Sequence, residues 1–175
     1  MSTFDRLNAT ALTVDIDGIG YRGTTLAQLM APPRSLTEAQ VLPAIQSVLK
    51  GWVDEQAEAL RQKVMTAGAG QAMEYQEVRD EAKAVLALDD PTKASGSDFP
   101  MLSASIGTNL DPNTGKPTSD IAGEARAASE EAKAWLAIGA PIRGARLKGK
   151  QSVDKAATIA DACAVVDAIS WPALS

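Results

Sequence analysis

The chain contains no histidine and one cysteine, and only 4% of its 175 residues are aromatic. Without histidine there is no imidazole base, no His-ligated metal and no Ser-His-Asp triad. One cysteine rules out an intrachain disulfide or a thiolate cluster. Large apolar residues are also scarce, with Leu, Ile, Val and Phe contributing 36 positions. That share is close to the floor of about 20% below which chains struggle to assemble a core. No stretch approaches the roughly 20 apolar residues of a spanning helix, so no membrane insertion is expected. The opening MSTFDRLNAT has neither a basic nor an apolar signal region, so no signal peptide is expected and the chain reads as a cytoplasmic product.

What is abundant is alanine, at 32 residues. Alanine favours helix but buries little area, which predicts helices joined by a thin core. Seventeen basic against 22 acidic side chains give a net charge of -5, which argues against nucleic acid as a partner. The one basic cluster, Arg143, Arg146, Lys148, Lys150 and Lys155, is opposed by Asp154 alone, lacks aromatics, and reads as a solvated helical face.

The first thirty residues differ from the rest. Leu12, Val14 and Ile16 alternate with polar residues at strand period, and Asp17-Gly18 is a tight-hairpin turn pair. A return strand through Ile19 and Tyr21 completes a β-hairpin. A lone hairpin must lie on something, either the helices of its own chain or another subunit. Pro32-Pro33 follows as an extended connector, which favours a docking hook with open edges held away from the helices.

From Ser35 the pattern is helical. Ser35 and Glu38 fit a capping box, and Val41, Ile45, Val48, Leu49, Trp52, Val53, Leu60 and Val64 trace one face. Pro43 predicts a kink or a later start, and Ala67 to Gly70 forms a turn. A second helix over about 71–88 carries Tyr75, Val78, Ala82 and Val85. A short helix opens at Phe99-Pro100, and residues 109–119 read as an exposed loop. Ser119 then caps a helix along Ile121, Ala125, Ala128, Ala132 and Trp135, interrupted at Gly139 and Pro141. Ser152 begins a last helix with Ala156, Ile159, Cys163 and Val166 inward, closed by Trp171-Pro172.

The expected fold is therefore mainly α: long amphipathic helices forming hairpins or an oligomeric bundle, with a small N-terminal β-hairpin. Its segments are 1–34 (hairpin and connector), 35–91 (helical hairpin), 92–118 (loop with short helix) and 119–175 (C-terminal helices). Long helices with thin stripes need partners, which predicts a homo-oligomer.

Few patterns suggest chemistry. Asp15-Ile16-Asp17-Gly18 matches the DxDG of haloacid-dehalogenase-like phosphatases, with a nucleophile and a general acid, and Asp89-Asp90 offers a metal-binding acid pair. No run of buried parallel strands accompanies them, so the hairpin turn is the stronger reading. A calcium loop fails as well, because Leu26 stands where the bidentate glutamate belongs. The Gly68-Ala69-Gly70 stretch lacks the Lys-Ser/Thr of a phosphate loop. Cys163 reads as a small buried side chain. No catalytic, cofactor or metal residue is assigned. Leu12, Val14, Ile16, Tyr21, Trp52, Trp135 and Trp171 are the candidate partner contacts.

Residues 67–75 (AGAGQAMEY) with Glu81-Ala82 resemble a recurring segment of helical proteins from tailed-bacteriophage tail modules. Phe99-Pro100-Met101-Leu102 is similar to the Tyr-Pro-Leu-Leu that follows there. Trp135, Ile142, Arg146, Lys150 and Trp171-Pro172 fit the closing pattern. The chain departs at Val78 and Gly144, where a Lys and a Glu are common. The resemblance covers residues 67–172 and implies a non-enzymatic virion component of the tail fibre or baseplate, partnered by other tail proteins. The second reading, behind it, is a tail-fibre assembly chaperone that acts in the host cytoplasm and is absent from the finished particle.

Overall fold

The computed structural model describes residues 1–64 and 69–173, with side chains from 73 onward in the second stretch. The described residues are mainly helical, with one small antiparallel hairpin near the N-terminus. The chain divides into two compact units, residues 1–61 with 140–175, and residues 62–139. This division cuts across the expected segments at 34, 91 and 118, because the last helices join the first unit rather than standing apart.

In the first unit, α1 (Thr3–Ala9) leads into β1 (Leu12–Ile16) and β2 (Ile19–Thr24). Asp17 and Gly18 link the strands with φ of 50° and 80°, the paired positive values that a two-residue hairpin turn requires. Leu12, Val14 and Ile16 point to one face and are buried, while Thr13 and Asp15 are exposed. That face packs within one cluster with Leu7, with Leu26 and Leu29 of α2 (Leu26–Met30), and with Val41, Ile45, Leu49, Trp52 and Val53 of α3 (Glu38–Gln62). Val153, Ile159, Ala162, Cys163 and Val166 complete the cluster.

The docking-hook expectation is therefore corrected. Leu12, Val14 and Ile16 are core side chains, out of a partner's reach. The Pro32-Pro33 segment is a turn rather than an extended connector: Arg34 and Ser35 N–H both donate to the Ala31 carbonyl, and Leu36 N–H returns to Leu29. An apolar strand face costs about 25 cal/mol per Å² when left in water, so a hairpin tethered this closely folds onto its own helices.

Three helix starts also differ from expectation. Thr37, not Ser35, caps α3, with Thr37 and Gln40 exchanging side-chain and backbone bonds at 3.0 and 3.4 Å. Ser35 has a φ of 50°, which places it in the turn. α3 continues through Pro43 without interruption. α6 (Ile121–Lys155) starts after Asp120, whose carboxylate takes the Gly123 N–H at 2.7 Å, and it runs through Gly139 and Pro141 as 35 continuous residues. Proline's fixed φ is compatible with helix, and the cost is one lost hydrogen bond and a local clash. α7 (Ile159–Asp167) begins at the Thr158 cap, so Ser152 belongs to α6. Gly149 on α6 is buried because Ile169 occupies the space of a side chain there: a Cβ would lie 2.5 Å from its Cδ1.

The second unit is smaller. α4 (Ala69–Leu86), α5 (Pro100–Ser105) and the first part of α6 bury Ala82, Val85, Leu102, Ile121, Ala125 and Ala128 around Phe99 and Val78. The expected turn at Ala67-Gly68 lies outside the described residues. α4 covers the helix expected over 71–88 as far as Leu86 and takes in Ala69 and Gly70 of the expected turn, and α5 opens at Pro100 as expected.

Deleting residues 1–33 removes six buried side chains of the main core (Leu7, Leu12, Val14, Ile16, Leu26 and Leu29). At about 1.5–3 kcal/mol each, this is comparable with a domain's entire stability of about 5–15 kcal/mol. The truncated chain is expected to lose most of its far-ultraviolet helical signal. Retained helicity would show that the hairpin is dispensable. Leu29→Ala is expected to cost about 2–5 kcal/mol in a urea titration.

Candidate functional site

The acidic pair singled out in the sequence does not assemble a catalytic centre. Asp15 projects from β1 with its side chain 71% exposed and pairs with Arg22 at 3.4 Å. Asp17 occupies the hairpin turn and accepts from Gln40 Nε2. A haloacid-dehalogenase-like site needs a nucleophile at the end of a strand in a parallel sheet, whereas this strand belongs to a two-stranded antiparallel hairpin. The phosphatase alternative loses its scaffold. Asp90 caps a one-turn 3-10 helix through Thr92, and that hydrogen bond draws its carboxyl below the usual range. Among the described residues, no three or more His, Cys, Asp or Glu side chains are placed to hold a metal ion.

The densest polar constellation lies in the second unit, where the segment from Gly107 to Thr118 closes onto the first turns of α6. Residues 109–119 form the expected loop and are mostly exposed, but Leu110 and Pro117 form a bridge, and Asp111 and Thr118, with Glu124 of α6, are buried. Asp111 receives Arg126 in bidentate fashion, Nε at 3.0 Å and Nη2 at 2.6 Å, and also the Asn113 N–H at 2.9 Å. Its carbonyl accepts from Thr114 and Gly115. The Arg126 bonds, and then the Asn113 bond, hold the Asp111 carboxyl down at about 2. Next to it Glu124 accepts from Asn109 Nδ2 and from the Thr118 hydroxyl, while that hydroxyl oxygen accepts the Gly107 N–H at 2.8 Å.

Chemically this is a clasp. Both carboxylates are engaged by donors from their own unit, Asp111 by three and Glu124 by two. Sequence reading missed it because its parts lie 15 residues apart, on a turn-rich segment and on a helix. The turn residues Asp111-Pro112-Asn113-Thr114-Gly115 signal a tight Asx-type turn, but nothing local announces that Arg126 completes it.

Other carboxylates serve as caps reaching across the chain. Glu81 of α4 accepts the Met101 and Leu102 N–H groups at 3.2 and 3.0 Å, supplying the cap that Phe99 cannot. Glu38 of α3 accepts the Ile159 N–H at the start of α7 at 2.7 Å. Asp167 at the end of α7 accepts the Thr3 N–H and hydroxyl at the start of α1. The basic cluster is likewise more engaged than a solvated face. Arg146 and Lys150 both bind Asp54 of α3, at 3.0 and 2.6 Å, and Asp154 pairs with Lys50.

The remaining candidate contacts are dispersed. Trp52 is in the main core with the Arg6 guanidinium stacked 3.9 Å from its ring centre. Trp171 is half-buried and donates to Gln56 at 3.0 Å. Tyr21 packs at the edge of that core, and Trp135 is half-buried, its ring lying over Gly139 in the other unit. Cys163 is buried, and desolvation, then the Asp167 charge, raises its thiol to about 11, so it is no nucleophile at neutral pH.

Thr118→Val is expected to cost about 1–3 kcal/mol, because the Glu124 carboxylate and the Gly107 N–H both lose a buried partner. The Asp111 contribution has a defined pH window. Its folded value is about 2, below the unfolded value of about 3.9, so its stabilisation is complete above pH 4 and falls as pH drops toward 2. Arg126→Gln is expected to flatten that acid dependence in chemical denaturation series. An unchanged slope between pH 4 and 2 would contradict the assignment. Comparison with known proteins finds no matching family model, no matching curated protein and no matching solved structure.

Proposed function

We propose that the chain is a non-enzymatic structural component of a tailed-bacteriophage particle, in the tail-fibre or baseplate region, assembling as a homo-oligomer with other tail proteins. The observation that carries the reading is the resemblance over residues 67–172. Many of the positions that define it are also ones that hold this fold together. Leu102 of the Phe-Pro-Met-Leu segment is fully buried, as is Ile142, and Glu81 caps α5. Arg146 and Lys150 grip Asp54, and Trp171 ties the C-terminal segment to Gln56. A likeness that includes such positions supports a shared architecture rather than a shared reaction. The carboxylates of the clasp and caps are engaged in internal bonds, which supports a scaffold role. Among the described residues no helix is long and apolar enough to cross a membrane.

The alternative is an assembly chaperone that acts in the host cytoplasm and leaves before the particle is complete. Quantitative mass spectrometry of purified particles from a phage encoding the chain separates the two. The structural reading expects the protein at a fixed copy number per tail. Its presence in infected-cell lysate and absence from purified particles would replace that reading with the chaperone.

A further inference from the structure

A groove of about 450 Å³ runs between α4 and α6 within the second unit. Its floor is built from Ala82, Ala128 and Ala132, which keep the two helices close and leave a shallow trough. Leu86 and Leu136 line it while remaining 39% and 52% exposed. The charges along it are mostly of one sign. Arg79 and Lys83 stand four residues apart on α4, where like charges repel, and Lys133 stands on α6. Among the described residues neither Arg79 nor Lys83 has a hydrogen-bond or ion-pair partner. Glu81 caps α5, and Asp80, the one acid lining the groove among the described residues, accepts from Gln76 at 2.9 Å and pairs with neither cation. Lys133 has only an exposed pairing with Glu130.

We propose that this groove docks an acidic amphipathic helix from a partner protein. Two helices lined with alanine present the surface on which a third helix packs, with its apolar side chains at helical spacing against Leu86 and Leu136. Carboxylates flanking that stripe meet Arg79 and Lys83, whose side chains have no ion-pair partner among the described residues. A second copy does not fit in the same way. Symmetric pairing of groove on groove sets identical patches together, bringing Arg79, Lys83 and Lys133 against their own copies. The inference is independent of the tail reading and holds for any assembly containing such a helix.

The test uses the full chain and a fluorescein-labelled synthetic helix with a leucine stripe flanked by glutamates, followed by fluorescence anisotropy. Saturable binding that weakens with added salt is expected, and the same peptide with lysine in place of glutamate should not bind. Arg79→Glu with Lys83→Glu is expected to weaken binding about tenfold or more, with circular dichroism unchanged. Ala132→Leu, which fills the floor without touching charge, is expected to weaken it as well, and decides the matter if the double variant unfolds. Absence of binding, equal binding of the lysine peptide, or self-association that depends on Arg79 and Lys83 would each overturn the proposal.

Discussion

The fold depends on carboxylates that reach from one element to the free N–H groups at the start of another. A helix leaves its first amides without partners, and a helix of only six to nine residues is marginal on its own in water. Here Asp167 holds the start of α1, Glu38 the start of α7, and Glu81 the start of α5. Each bond is charge-assisted and also aligned with the helix dipole. They tie positions 164, 121 and 21 residues apart, so they do the job that large apolar side chains do in richer sequences. The Asp111–Arg126 and Glu124–Thr118 bonds extend the same device to a loop.

Seen this way, the composition and the structure agree. Few large apolar residues are available, and most of the buried ones are concentrated in the first unit around α3, with Trp52 as its one large aromatic. The second unit buries mainly alanine with Leu102, Val85 and Ile121, and compensates with polar contacts. Its internal carboxylate bonds, at Glu81, Asp111 and Glu124, take the place of the missing apolar area.

Much of the architecture was legible because it is written locally. Alternation at Leu12, Val14 and Ile16 with Asp17-Gly18 specifies the hairpin, and the period-3.6 stripe through Val41, Ile45, Leu49, Trp52 and Val53 specifies α3. Exact starts were less legible, since Ser35 and Thr37 are both plausible caps, and Glu38 is drawn away by Ile159 rather than closing its own box. Gly139 and Pro141 read as breakers but lie inside a 35-residue helix whose neighbouring turns are otherwise intact. The hairpin's direction of packing was not legible at all. An apolar face says that it must be covered, not by what, and part of its cover, Ile159 to Val166 of α7, lies distant in sequence. The clasp was hidden for the same reason.

Native-state hydrogen exchange at the four capped amides, Thr3, Met101, Leu102 and Ile159, tests the central claim most directly. These are first-turn N–H groups that no intrahelical carbonyl can protect. The account predicts slow exchange at all four, with Ile159 alone accelerating in Glu38→Gln and Met101 and Leu102 alone in Glu81→Gln. Exchange at the rate of exposed amides in the unaltered chain would contradict it.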